Sequence, residues 1–405
     1  MHLLADATMP LVSELAQYLA QALAPSGQSV QLTTFTGRQP SAAQLIQAEV
    51  LLIRSITQVD AALLQQAPHL RWVGTATIGT EHVDAHACQA AGVTFVSTPG
   101  VNANAVGDYV VAAVSELALR DGQLPTGDVA IIGAGHTGRA AGQRLQGLGL
   151  RVHYYDPPLV QSWTPQKIQQ EPLDIHADWQ RVLASQVISC HVPLVHEGRF
   201  PTHHLFDVEA IARLQAGTIL INASRGAVVA EEALRQAMHR QQELRVVLDV
   251  WEHEPQIAPD LLPWLSLATP HIAGHSVIGK VAGTWQLFAQ LLQFIRRDDI
   301  MLPPVEELLA PWPAATRRYH WHTETAPSWQ MLASWVREIY DIRDDDAQLR
   351  QAPSTAAAFD QLRRTYQTRG ELSQGTVTGG DWLQQAHWQQ RLQQLNFLPL
   401  NSQEQ

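Results

Sequence analysis

Between Val129 and Asp156 the chain reads VAIIGAGHTGRAAGQRLQGLGLRVHYYD, and this stretch restricts the fold more than any other. Four apolar residues suit a buried parallel strand, glycines 133, 135 and 138 follow at G-x-G-x-x-G spacing, and a helix-compatible run leads to a second strand ending in Asp156. Gly133 permits the tight strand-to-helix turn, Gly135 lets the backbone approach a pyrophosphate, and Gly138 lets the helix pack closely on the strand. His136 and Thr137 lie in the same turn, where the exposed amides of a helix N-terminus favour an anion. Asp156 lies 18 residues past Gly138, where a carboxylate accepts hydrogen bonds from an adenosine ribose and repels a 2′-phosphate. Three glycines alone would be ordinary loop punctuation. With the strand, the helix and the acid in place, the stretch predicts NAD rather than NADP.

The remaining composition narrows the possibilities. A chain of 405 residues accommodates two or three domains of about 100 to 200 residues each. A net charge of −11 argues against nucleic-acid or membrane-surface partners recruited by bulk charge, so an anionic substrate needs locally placed arginines. Cys88 and Cys190, the only cysteines, suggest neither a disulfide framework nor a C-x-x-C metal site. The opening MHLLADATMP lacks the features of a signal peptide, and no apolar run approaches the ~18 residues of a membrane span. A soluble cytoplasmic protein is expected.

In the first hundred residues, short apolar runs at 2–5, 50–53, 71–74 and 93–97 alternate with helix-compatible stretches such as 11–24, the pattern of a parallel α/β sheet. Ligands of such sheets sit beyond the carboxyl ends of the strands, which singles out Arg54, Ser55 and the loop 75–80 with Thr77. Arg54 suits a carboxylate or phosphate, although a surface arginine reads the same way. From 102 to 119 apolar residues continue almost all round a helical period, predicting a buried helix that connects two halves of the molecule. Further strands are expected at 187–189, 218–222 and 245–248, with a helix over 230–240.

Arg225, Glu254 and His271 then fall at or just beyond successive strand ends. An arginine, a carboxylate and a histidine in one crevice suit hydride transfer at a 2-hydroxy acid. Arg225 would hold the substrate carboxylate and C2 oxygen, His271 would take the hydroxyl proton, and Glu254 would orient the imidazole. Asp249, at a strand end, suits a nicotinamide contact better than acid–base work. A lone histidine is more often structural, this chain has 18, and His253 and His275 lie near the same loops. Spacing alone leaves His271 only modestly ahead.

These motifs, together with NASRGAVV at 222–229, DVWEHEP at 249–255 and TPHIAG at 269–274, resemble the D-isomer-specific 2-hydroxy acid dehydrogenases in order and approximate spacing. The resemblance implies a Rossmann-type doubly wound parallel sheet at 104–276, a flavodoxin-like α/β substrate domain at 1–103 to which 277–296 returns, and a C-terminal dimerisation domain at 297–405. It implies Arg225 and Glu254 as active-site residues and His271 as the proton donor in the reducing direction. It also matches a branch acting on a phosphorylated 2-hydroxy acid, through LLADATMPLV at 3–12, LLIRSITQVD at 51–60, GTATIGTEHVD at 74–84, and YDIRDDDAQLR and AFDQLRRTYQTRGEL in the extension. By this resemblance Ser55 and Thr77 contact substrate, Ala223, Ser224, Arg225 and Asp249 contact NAD, Gly274 lies at the nicotinamide end, and the protein is a homodimer. Arg54 is expected to hold the substrate phosphate, with an arginine such as Arg343 of the partner subunit. Two positions depart from the family. Val192 replaces a threonine, removing a hydroxyl contact to NAD, and His275 replaces a tyrosine, offering a ring nitrogen to substrate instead. The alternatives are a dehydrogenase for another acid, such as 3-phosphoglycerate or glyoxylate, and an NAD-sensing binding protein, which the same fold also serves.

Seven of the 12 tryptophans lie at or after Trp285, which suits an apolar interface, the extension's own core, or both. Asp344, Asp345 and Asp346 read as a solvated acidic turn rather than a metal site. The glutamine-rich tail from 384 reads as a fraying helix with its last few residues disordered.

Overall fold

Strands whose residues are apolar on both faces need helices on both sides, and the chain meets that need twice. The computed structural model describes residues 1–366 and 369–400. It divides into two compact units, Met1–Asn102 with Ser276–Thr316, and Ala103–His275 with the chain from Arg317 onward.

The first unit is built on β1 (His2–Asp6), β2 (Gln31–Phe35), β3 (Val50–Ile53), β4 (Trp72–Thr75) and β5 (Thr94–Ser97). They are parallel in the order β2-β1-β3-β4-β5, the flavodoxin-like arrangement. β3 (VLLI) is fully buried, whereas β2 (QLTTF) buries only Phe35 and lies at the sheet edge. The returning segment is longer than the 277–296 expected and runs to Thr316. The Val277–Phe294 helix buries Val281, Leu287, Phe288 and Leu291 in the same core as Leu309 and Ala315. Trp285 Nε1 donates to the Pro303 carbonyl at 2.8 Å, and Tyr18 Oη to Met301 at 2.6 Å. Residues 297–316 therefore belong here, because the apolar face of the returning helix reaches past its own end.

The second unit carries seven parallel strands: β6 (Val129–Ile132), β7 (Val152–Tyr155), β8 (Ile175–His176), β9 (Val187–Cys190), β10 (Ile219–Asn222), β11 (Arg245–Leu248) and β12 (Leu267–Ala268). Their order is β12-β11-β10-β9-β6-β7-β8, so the winding direction reverses between β6 and β9. Ligands of doubly wound sheets bind outside the carboxyl ends at such a reversal. The Ala103–Asp121 helix is buried without interruption from Ala105 to Ala118, as an apolar pattern continuing almost all round predicts, and it buries Asp108 and Glu116 as well.

The extension adds β13 (Tyr319–Thr323), β14 (Gly375–Gly379) and β15 (Leu398–Pro399), again parallel. Its tryptophans join the core of the seven-stranded unit, where Trp335, Trp382 and Phe397 share one cluster with Tyr109 and Leu145; Trp321 stacks on Trp335 with centroids 5.1 Å apart and meets Phe397 edge-on. The tail forms a helix only over Ala386–Gln394 before β15. The expectation of a disordered terminus falls at 401–405, outside the described residues. Asp344–Asp346 lie inside the Ile342–Gln351 helix and are no solvated turn. Asp345 is buried and accepts from Tyr340 Oη at 2.8 Å and Tyr366 Oη at 3.0 Å, while Asp346 accepts from the Ala268 amide at 2.7 Å and pairs with Arg350. Among the described residues no helix is long and apolar enough to cross a membrane.

Candidate active site

The turn after β6 behaves as a dinucleotide cradle requires. Gly133 has φ +94°, and a Cβ there would come within 2.7 Å of the His191 carbonyl and 3.0 Å of Val192, across the reversal point. A Cβ on Gly138 would collide with the Gly133 carbonyl at 1.9 Å. At Gly135 a Cβ would meet nothing within 4 Å, so this glycine faces open space rather than protein. It is the N-cap of the His136–Leu148 helix, and no side chain caps that end. Unsatisfied amides facing open space at a helix N-terminus suit a pyrophosphate. Asp156 ends β7 and accepts from the Ala134 amide at 2.9 Å and the Leu159 amide at 3.0 Å, which fixes the carboxylate beside the glycine turn. The residues present thus fit a dinucleotide.

The loops after β10, β11 and β12 are tied together. Asn222, fully buried, donates to the carbonyls of Arg225 (2.9 Å) and Gly226 (3.3 Å) and accepts from Ser224 Oγ (2.9 Å), setting the Ala223-Ser224-Arg225 turn. Arg225 Nη1 bonds the Ser224 carbonyl at 2.8 Å. A Cβ on Gly226 would overlap the Trp251 carbonyl at 1.9 Å, so the arginine loop lies directly on the loop of Glu252 and Glu254. Trp251 Nε1 in turn donates to the Thr269 carbonyl at 3.1 Å.

On that frame His271 Nδ1 meets Glu254 Oε1 at 2.6 Å. A carboxylate on Nδ1 fixes the proton there and leaves the lone pair on Nε2, the tautomer of a general base. Burial raises the Glu254 carboxyl, but His271, Arg363 and the Trp251 amide outweigh it and hold the pKa below the usual carboxylate value. His271 itself has φ +56°, held by its amide bonding the Asp249 carbonyl at 2.7 Å. His253, on the same loop as Glu254, makes no such pair among the described hydrogen bonds.

Asp249, expected at the nicotinamide, is 1% exposed. Oδ1 accepts from Thr269 Oγ1 and the Ile272 amide, both at 2.7 Å, and Oδ2 from the Ala273 amide at 3.0 Å. Its observed occupation is to hold the loop that carries His271, because buried carboxylate oxygens take the nearest amides.

Sequence reasoning missed the other half of that support. Arg369, 8% exposed, donates to the carbonyls of Ala105 (2.7 Å), His275 (2.8 Å), Ala273 (2.9 Å) and Ile272 (3.4 Å), and its guanidinium lies 4.0 Å over the Tyr340 ring. Burial pushes the Asp345 carboxyl up, and Arg369, Tyr340 and Tyr366 pull it partly back. Gly274 and His275 thus lie in a loop clamped from the extension, with the His275 ring 5.9 Å from Tyr366. Nothing local to Arg369 signals this; Asn222, an amide side chain three residues before an arginine at a strand end, is the missed residue with a readable turn signature. Arg343 binds Asp341 of its own chain at 2.8 and 2.5 Å.

In the first unit, Arg54 and Ser55 follow β3 and Thr77 follows β4, at the carboxyl edge of the sheet centre. Arg54 Nη1 donates to Thr8 Oγ1 at 2.8 Å, and Thr8 to Asp6 at 2.6 Å. Thr77 Oγ1 bonds Thr75 Oγ1 at 2.7 Å and the Gly79 carbonyl at 2.9 Å.

Comparison with known proteins gives the family and the fold. Residues 107–273 match the family model of the D-isomer specific 2-hydroxyacid dehydrogenase, NAD binding domain, and 313–395 match a domain of unknown function (DUF3410). The chain is 42% identical over 371 residues to an erythronate-4-phosphate dehydrogenase of Idiomarina loihiensis, covering 90% of each chain. It is 40% identical to that of Aeromonas hydrophila, covering 94% of this chain and 96% of the relative. Among solved structures it resembles the NAD+-bound 3-phosphoglycerate dehydrogenase of Entamoeba histolytica (TM-score 0.59, 20% identity, 73% of this chain and 95% of that one). It also resembles an NAD-dependent formate dehydrogenase of Staphylococcus aureus (TM-score 0.56, 19% identity, 74% and 97%). At such identities the structural likeness shows the fold.

Proposed function

The chain belongs to the erythronate-4-phosphate dehydrogenases, within the D-isomer-specific 2-hydroxyacid dehydrogenase family, and from that premise we propose that it oxidises 4-phospho-D-erythronate at C2 to (R)-3-hydroxy-2-oxo-4-phosphooxybutanoate, a step of pyridoxal and pyridoxine 5′-phosphate biosynthesis. NAD, when bound, supplies the acceptor for the hydride that leaves C2. Gly133, Gly135, His136, Thr137 and Gly138 would hold its pyrophosphate, Asp156 its ribose, and Val192, Ala223, Ser224, Asp249 and Gly274 the remainder, with Val192 as an apolar wall.

The observation that carries the reading is the His271–Glu254 pair at 2.6 Å, on the loops after adjacent strands β11 and β12. Nε2 of His271 takes the C2 hydroxyl proton, and the Glu254 carboxylate stabilises the imidazolium that results. Arg225 holds the substrate carboxylate and the C2 oxygen. Arg54 takes the phosphate, and Ser55, Thr77 and His275 contact the substrate. The protein works in the cytoplasm as a homodimer through the C-terminal segment, a reading supported by two free cysteines and by the exposed Met331 and Leu398 of that segment.

The test is NADH formation by purified protein with 4-phospho-D-erythronate and 3-phospho-D-glycerate side by side, with a 2-oxo acid in a parallel tube to reoxidise retained NADH. Turnover of the four-carbon acid alone is expected. Turnover of neither, with NAD binding intact, would replace the proposal with the NAD-sensing reading. Arg54→Ala should raise KM for the phosphorylated acid far more than for its unphosphorylated analogue, and equal effects would remove the phosphate assignment.

A further inference from the structure

Beside these loops lies a group of side chains with no part in the proposed chemistry. The chain leaves β9, passes His196 and turns back, with the amides of Thr202 and His203 bonding the Val195 carbonyl at 2.9 and 3.0 Å and the Val195 amide bonding Thr202 Oγ1 at 2.8 Å. The turn packs His196 against His203 with tilted rings (centroids 4.6 Å apart), and His203 stacks on His204 at 3.9 Å. His204 has φ +51°, a left-handed conformation unusual for a β-carbon residue, and its amide is tied to the Ala227 carbonyl at 2.7 Å. Its Nε2 meets Glu252 Oε1 at 2.6 Å. One ligand atom each from His203, His204 and Glu252 lie within 4.8 Å of one another.

We propose that His203, His204 and Glu252 form a binding site for a divalent transition metal of the zinc class, with His196 or water in the fourth position. Two imidazoles and one carboxylate are the donor set of open tetrahedral zinc sites, whereas magnesium and calcium take oxygen donors. Donors on one tetrahedral ion at ~2.0–2.1 Å sit roughly 3.3 Å apart, so filling the site opens the 2.6 Å His204–Glu252 hydrogen bond slightly and draws in ligand atoms that now lie up to 4.8 Å apart. The carboxylate is already oriented from behind, because Glu252 Oε2 accepts from the Glu231 amide at 2.8 Å. Such a second contact is what metal-ligating carboxylates ordinarily have.

The site also has a route to turnover. Glu252 is two residues from Glu254, and its loop rests on Gly226, next to Arg225. A metal seated between Glu252 and the histidines shifts the loop carrying the carboxylate that orients His271, so occupancy lowers kcat.

The experiment uses untagged, chelator-treated full-length protein titrated with Co2+, read by the visible absorption of tetrahedral cobalt and by displacement with Zn2+. A single Co2+ per chain is expected, with His203→Asn weakening it roughly tenfold or more and the surface variant His320→Asn leaving it unchanged. Glu252→Gln should weaken binding likewise, with thermal unfolding measured alongside; should that variant not fold, His203→Asn decides alone. Absence of a one-to-one tetrahedral spectrum, or equal affinity in His203→Asn, would overturn the site. The cobalt spectrum needs no substrate, so it stands or falls apart from the proposed reaction; Zn2+ binding without loss of NADH formation would overturn only the coupling to turnover.

Discussion

Arg369 holds the His271 loop from one side, and the chemistry never touches it. Replacing it with methionine keeps an apolar stem over Tyr340 but strips a charged donor from the carbonyls of Ala105, Ala273 and His275, each within 2.9 Å. It also removes the cation that offsets buried Asp345. Hydrogen bonds to a charged donor contribute ~1.5–3 kcal/mol each, but they are not additive and Asp345 will take up a proton, so the loss is about 3–5 kcal/mol. For a unit of this size that lowers the melting temperature by on the order of 10 °C. Untethering residues 272–275 moves His271, and a misplacement of about 1 Å costs roughly 100-fold in kcat. Arg369→Lys keeps the charge but serves fewer carbonyls, so it should fall between the two in both measurements. Differential scanning fluorimetry and steady-state NADH formation check the pair. A methionine variant melting within about 2 °C of wild type with kcat within about threefold would refute the argument that this clamp positions the histidine.

Gly135→Ala and Gly138→Ala should separate binding from folding. The first places its methyl where nothing lies within 4 Å, so melting is unchanged while NAD affinity falls about tenfold or more, and the second drives a methyl onto the Gly133 carbonyl and destabilises the unit; isothermal titration with NAD beside thermal melts would show it. Glu254→Gln should cost about 10²- to 10⁴-fold in kcat with little change in the KM for NAD. Because the Glu254 pKa is lowered in the folded chain, its pair with His271 contributes fully above the ordinary carboxylate range and is lost as pH falls through the folded value, a loss that Glu254→Gln should not show in melts below about pH 4.5. Burial, with Arg181 and His176 beside it, lowers the His153 pKa to about 4, so the unfolded chain binds a proton that the folded chain refuses. Stability should therefore fall by about 1.4 kcal/mol per pH unit on acidification from about 6.5 toward about 4, and His153→Gln should flatten the melting profile across that window.

What was legible in the chain and what was not separates by the distance over which each feature is decided. The glycine turn after β6 was readable because each glycine answers a steric demand within a few residues: a Cβ at 138 strikes the carbonyl of 133, and φ at 133 is positive. β3 and β6 were readable because VLLI and VAII are buried on both faces, whereas β2 was not, because QLTTF at a sheet edge buries only its last residue. Arg225, Glu254 and His271 stood out only because each follows a strand, and a topology of parallel strands brings strand ends to one edge. The misreadings are long-range. Asp345 is an acid in a run of three, and such runs are solvated unless buried donors await them. Here the donors are Tyr340 and Tyr366, with the Arg369 charge close enough to offset the carboxylate. Arg369 reaches Ala105 across 264 residues of sequence, and no property of either neighbourhood announces the partner. The groups proposed for the chemistry could thus be nominated from the chain alone, while those that hold them in place appeared only once the extension had been folded against the β11 and β12 loops. It follows that the extension is part of the apparatus positioning His271, and that truncating it should abolish turnover even where the seven-stranded sheet survives.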